Sequence, residues 1–154
     1  MLNKGKFYQW LSWVLVGLWM FLIFHLSSQP ATQSENLSME VTQKVIETIQ
    51  GVTKTSEVDS ASWDHIIRKC AHFSAYLVLA LLAMNALRRS GQRGVKQIIF
   101  TMVICVLYAC SDEIHQIFVS GRGPQVRDVL IDSTGSLVGI GLLRLIRKRG
   151  NRTI

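Results

Sequence analysis

Charged side chains are scarce in this 154-residue chain, at 18% of the total, and long stretches have none. Leu77 to Met84 (LVLALLAM) and Ile98 to Cys110 (IIFTMVICVLYAC) offer no charged face, whereas helices of soluble bundles set a charged face opposite an apolar one. That absence argues against a soluble helical bundle. Cysteines are few as well. Cys70, Cys105 and Cys110 form an odd set without C-x-x-C spacing, which leaves neither a disulfide framework nor a thiolate site for zinc or redox work. Packing roles are expected for all three. No nucleophile motif, glycine-rich phosphate loop or nucleotide fingerprint occurs, so no cofactor is expected. Internal repeats and low-complexity tracts are also missing.

What the chain does have is four apolar runs: Trp10–Ser27, Cys70–Leu87, Ile98–Val119 and Asp128–Ile146. A helix of about 20 residues crosses a hydrocarbon core of about 30 Å, and each run is close to that length. The reading is an all-α, polytopic membrane protein with four transmembrane helices, built as one domain over residues 1–154. The first run follows Lys4 and Lys6 as a signal peptide would. It is longer than the usual apolar core, and His25, Leu26, Ser27, Ser28, Gln29 and Pro30 make a poor cleavage site, so a retained anchor is expected.

Orientation comes from the basic residues. Lys4 and Lys6 precede the first run; Arg88, Arg89, Arg93 and Lys96 crowd the link between the second and third; Arg144, Arg147, Lys148, Arg149 and Arg152 end the fourth. These are eleven of the 17 basic residues, and no acid lies among them. The positive-inside rule therefore places both termini in the cytoplasm of a bacterial cell membrane, with all 10 acids on the outer side. The net charge of +7 is then a topology signal, and no nucleic-acid partner is expected. The outer loop, residues 28–69, contains a capping-box pattern, Thr32-Gln33-Ser34-Glu35, then Leu37, Val41, Val45 and Ile49 every four residues, then Gly51. This predicts a short amphipathic helix on the outer membrane surface or over the bundle. Residues 53–62 read as loop, and Trp63 is placed for the membrane interface as the chain re-enters.

Ionisable groups in a membrane cost at least about 2.5 kcal/mol each at its centre and face a bundle interior or a wet cavity. Here they converge on one depth. The second run opens with Arg68, Lys69, His72 and Tyr76, which share a sector about 100° wide. The third carries Asp112, Glu113, His115 and Gln116, with the acids expected about 10 Å below its outer end at Val119. The fourth begins with Asp128 and Asp132 on the face that also holds Gly135 and Gly139, whose small-xxx-small spacing admits a close helix neighbour. Ser120-Gly121-Arg122-Gly123-Pro124 is a turn that would hang Arg122 and Arg127 at the mouth of the cluster. His25 reads as interfacial, and His115 is expected to point away.

Together, Arg68-Lys69-x-x-His72-Phe73-x-x-Tyr76, Asp112-Glu113-x-x-Gln116 followed by Arg122, Asp128-x-x-x-Asp132-x-x-Gly135, and Ser27-Ser28-Gln29-Pro30 resemble the VanZ-like family of small bacterial membrane proteins over nearly the whole chain. Many members of that family carry Glu where this chain has Ala75, and often Asn where it has Asp132. The family takes its name from an accessory teicoplanin-resistance protein. The resemblance implies a part in glycopeptide or cell-envelope susceptibility, with membrane lipids and cell-wall precursors as candidate partners.

Three roles fit the cluster. In the first, the cations merely neutralise the acids and hold the bundle together. In the second, Arg68, Lys69, Arg122 and Arg127 bind an anionic lipid or precursor at the outer leaflet, with His72, Tyr76, Asp112, Glu113, Gln116, Asp128 and Asp132 around it. In the third, Glu113 or Asp112 works with His72 as acid and base on a lipid head group. A metal site is not expected, because Asp112-x-x-His115 lacks the paired Glu-x-x-His motifs of a di-metal bundle. Nor is transport, since no charge marks a path through the cytoplasmic half and no inverted repeat is present.

Overall fold

A computed structural model describes residues 4–30, 32, 36, 38–45, 47 and 60–150, without the side chains of 60–62, 64 and 150. Four long helices dominate: α1 (Lys4–Ser27), α2 (Ser60–Arg89), α3 (Gly94–Gln116) and α4 (Val126–Gly150). Each contains a stretch long and apolar enough to cross a membrane. Residues 38–45 between α1 and α2 are helical too, with a Lys44–Glu40 ion pair of 3.1 Å on their exposed side. Gln33, Ser34 and Glu35 of the capping-box pattern, together with Leu37, Ile49 and Gly51, lie outside the described residues. The side chain this segment buries is Thr42, while Val41 stays half exposed.

The helices differ from the expected spans at their ends. α2 starts ten residues before Cys70, because Ser60 to Lys69 continue the helical turn as a polar extension. α3 runs from Gly94 instead of Ile98 and stops at Gln116 instead of Val119. Its last turn tightens there, the Ile117 amide donating to the carbonyls of Ile114 and His115, and residues 117–120 reverse the chain. Gly121 sits at φ 76°, a left-handed conformation that side chains disfavour, as the turn required. Asp112 and Glu113 thus lie about one helical turn from the end of α3, shallower than the expected 10 Å.

On α3 and α4 the burial pattern is the reverse of a soluble bundle's. On α3 the buried stripe is Gln97, Thr101, Cys105, Ala109, Asp112, Glu113 and Gln116, in steps of three or four residues. On α4 it is Asp128, Asp132, Gly135, Ser136, Gly139 and Ile140. Outward faces carry Leu18, Phe21, Val103, Leu107, Leu130, Leu137 and Leu142. Small and polar residues inside with large apolar ones outside is the arrangement of helices dissolved in lipid, where exposing Leu carries no penalty and close backbone approach is what binds helices. The four helices make this a multi-pass membrane protein.

Helix directions alternate. Gln9 and Trp13 of α1 donate to the Ser90 hydroxyl after α2 at 3.2 and 3.0 Å, while Trp19 donates to the Ala75 carbonyl at 2.9 Å, so α1 and α2 are antiparallel. α2 is the central helix and packs most extensively on α4. Those two run parallel, and α4 lies on α2 through its glycines: a Cβ at Gly139 would meet the Leu77 carbonyl oxygen at 2.6 Å, and one at Gly135 would fall closer still to that of Phe73. The expected role of the small-xxx-small pair is met, with α2 as the partner. One end of the bundle gathers the basic segments, including Arg89 over the Tyr8 ring at 5.5 Å. The other end gathers the acids of α3 and α4.

Candidate functional site

The parallel register of α2 and α4 sets up a ladder of polar contacts. Lys69 pairs with Asp128 and reaches the Gln125 side-chain oxygen at 3.4 Å. One turn along, His72 Nδ1 lies 3.4 Å from the Asp132 carboxylate, which is fully buried. The third rung is the Ser136 hydroxyl, which donates to the carbonyls of Asp132 at 2.9 Å and Tyr76 at 3.5 Å. Each rung advances by a helical turn on both helices.

α3 and α1 close the site from the other side. Glu113 accepts a 2.6 Å hydrogen bond from the Gln125 backbone amide just ahead of α4, where a carboxylate also complements the positive end of the helix dipole. Ser27 at the end of α1 is a hub: its hydroxyl accepts from Gln116 at 3.1 Å, its carbonyl accepts from Arg122 at 3.2 Å, and Asp112 lies beside it. Ser28 meets His115 Nε2 at 3.2 Å, and the His115 ring lies 4.5 Å from that of Phe24, so His115 does turn from the cluster toward α1. His25 is exposed and stacks on Phe21.

Between α1, α2 and the helical segment 38–45 is a cavity of about 320 Å³. Ile23, Leu26, Val41, Ile67, Ala71 and Ala75 make an apolar wall; Ser27, Arg68, His72, Tyr76, Asp112 and Arg122 make a polar one. Burial, and next the nearby Arg68 charge, lower the pKa of Arg122, which the acids Asp112, Glu113 and Asp128 oppose. Two guanidinium groups therefore crowd one side of the cavity. Beside them, both carboxylate oxygens of Asp112 and the Tyr76 hydroxyl are buried without a well-directed hydrogen-bond partner among the described residues. Buried polar atoms are nearly always satisfied, and these face a cavity with room for a hydrogen-bonding partner.

The sequence-derived cluster thus divides in three. Arg68, His72, Tyr76, Asp112 and Arg122 face the cavity. Lys69, Glu113, Gln116, Asp128 and Asp132 lie behind it in contacts between helices. Arg127 is exposed on the first turn of α4 and makes no hydrogen bond or ion pair among the described residues. Ser27, Gln125 and Ser136 were not among the expected site residues. Ser27 stands in the Ser-Ser-Gln-Pro motif and Ser136 one turn after Asp132, so both had a signal; Gln125 meets Glu113 through its backbone, which leaves none. Among the described residues, no three His, Cys, Asp or Glu side chains gather as a metal site.

Residues 12–147, which take in most of each of the four helices and every residue of the cavity's polar wall, match the family model described as VanZ/LLP1. The chain belongs to the VanZ/LLP1 family. No curated protein and no solved structure matches it. For this VanZ/LLP1 protein the family match and the four apolar helices agree with the resemblance read from its motifs, and all four of those motifs contribute residues to the polar end of the bundle.

Proposed function

We propose that this VanZ/LLP1 protein modulates susceptibility to glycopeptides of the teicoplanin type, or to related cell-envelope stress, by binding a phosphate-bearing lipid or lipid-linked cell-wall precursor. By the positive-inside rule the basic end lies in the cytoplasm and the cavity opens at the outer leaflet, where such precursors are displayed. The carrying observation is that Arg68 and Arg122 share a cavity with an apolar wall. Guanidinium groups suit bidentate phosphate contacts, and an apolar wall suits the first carbons of an acyl or prenyl tail. At about 320 Å³ the cavity is at the small end for ligand sites, enough for a head group whose tail continues along the lipid-facing surface.

Native mass spectrometry in mixtures of anionic and zwitterionic lipids tests this. Arg68→Gln and Arg122→Gln should each weaken retention of an anionic lipid about tenfold or more, equal to about 1.4 kcal/mol, whereas Arg127→Gln should not. Equal retention by all three variants would refute the site. The scaffold reading draws on the Lys69–Asp128 pair and the Gln125 amide bond to Glu113 Oε2, which form without a ligand. It would be left standing by that outcome.

A further inference from the structure

We propose that the cavity is a phosphoryl-transfer site that hydrolyses the terminal phosphate monoester of a lipid, with His72 as nucleophile; this rests on the binding reading above and names the chemistry done there. The argument begins with the imidazole. His72 lines the cavity while its Nδ1 faces the buried Asp132 carboxylate at 3.4 Å, which leaves Nε2 as the nitrogen available to the cavity. A carboxylate beside Nδ1 favours the tautomer with the proton on that nitrogen and stabilises the positive ring formed when Nε2 reacts. Nothing in a purely structural pairing requires the same imidazole to border a cavity.

The surroundings select the reaction. Arg68 and Arg122 on the polar wall suit the non-bridging oxygens of a phosphoryl group, whose charge is spread over three such oxygens during transfer. Asp112 and Tyr76 supply two further polar groups of that wall that are more than nine-tenths buried and lack a well-directed hydrogen-bond partner among the described residues. In the first step Nε2 of His72 bonds to phosphorus, the bond from phosphorus to the lipid oxygen breaks, and that oxygen takes a proton from Asp112 to leave as an alcohol. In the second, the Asp112 carboxylate takes a proton from water, the water oxygen bonds to phosphorus, and the phosphorus–nitrogen bond breaks. Histidine and protonated Asp112 are restored, and the sum is phosphomonoester plus water giving alcohol plus inorganic phosphate. The Tyr76 hydroxyl is placed to donate to a phosphoryl oxygen. Asp132 is a positioning residue. Glu113 is outside the reaction, because it does not line the cavity and its Oε2 is held by Gln125.

The experiment uses the full-length protein in nanodiscs containing phosphatidate or a polyprenyl phosphate, and measures released inorganic phosphate beside lipid retention. Wild type should release phosphate, and acid-labile, alkali-stable label from a phosphorus-labelled substrate should appear on the protein at His72. His72→Asn should keep lipid retention and lose phosphate release by at least about a thousandfold. Asp132→Asn should lower kcat by about 10²- to 10⁴-fold with KM little changed and alter the pH profile of kcat, a signature a packing role would not give. If His72→Asn does not fold, label trapping on the wild-type protein decides alone. Retention of phosphatidate by wild type with no phosphate released and no labelled histidine overturns the catalytic proposal and leaves the binding reading intact. Absence of retention and release together overturns both. Full activity in His72→Asn refutes the assigned nucleophile.

Discussion

Gly135→Ala tests the packing on which the site depends. A methyl group there would land inside contact distance of the Phe73 carbonyl oxygen, with the carbonyl carbon at 3.0 Å and Cα at 3.2 Å, where ordinary contacts begin at 3.4 Å. All three atoms belong to the backbone, so no side chain can swing aside and the helices must part. Overpacking of this kind costs about 3 kcal/mol at the upper end, and the better helix propensity of Ala offsets about 1. The net loss of about 2 kcal/mol corresponds to a fall in Tm of about 4–8 °C for a chain of this size. Gly141 supplies the control on the same helix, since a Cβ there meets nothing within 4 Å. Gly141→Ala should leave Tm unchanged or raise it. Separation of α4 from α2 should also lengthen the His72–Asp132 contact and weaken retention of anionic lipid by Gly135→Ala alone. The assay is thermal unfolding in detergent followed by intrinsic tryptophan fluorescence, with lipid retention measured on the same samples. Equal Tm values for the two variants would refute the claim that α4 is seated on the α2 backbone.

Two further predictions follow from the ion pairs and the charge layout. Lys69→Met leaves the Asp128 carboxylate, with 8% of its side chain exposed, without its cation, and should destabilise the protein by about 3–5 kcal/mol. Lys69→Met combined with Asp128→Leu should recover most of that loss in the same unfolding assay, and an additive double variant would show that the pair is not coupled. For topology, single cysteines at Ser56 and Gln92, in a background lacking Cys70, Cys105 and Cys110, should be labelled by an impermeant reagent from outside and inside respectively. Labelling of position 92 on intact cells would reverse the orientation.

The sequence by itself determined the class of protein. Four predominantly apolar runs of membrane-spanning length can satisfy their backbone polar groups in lipid only as helices, so composition alone leads to a multi-pass bundle. The segregation of acids from the basic clusters, and the Gly135–Gly139 pair on the face of Asp128 and Asp132, likewise follow from spacing at 100° per residue. Helix ends were less legible, because the polar start of α2 and the turn after Gln116 carry no hydropathy signal. The site itself was decided by tertiary structure. Arg68 and Lys69 are neighbours in sequence, yet one turns to the cavity and the other to Asp128, since consecutive residues diverge by about 100° and what each meets depends on where α1 and α4 lie. The same holds for His72. Its place near acids was visible in the chain, but its pairing with Asp132 instead of Asp112 or Glu113 is fixed by the parallel register of α4 on α2, which the glycine contacts set. The cavity exists only because α1 and the segment 38–45 stand over the polar face of α2, a relation between distant segments that no local pattern encodes.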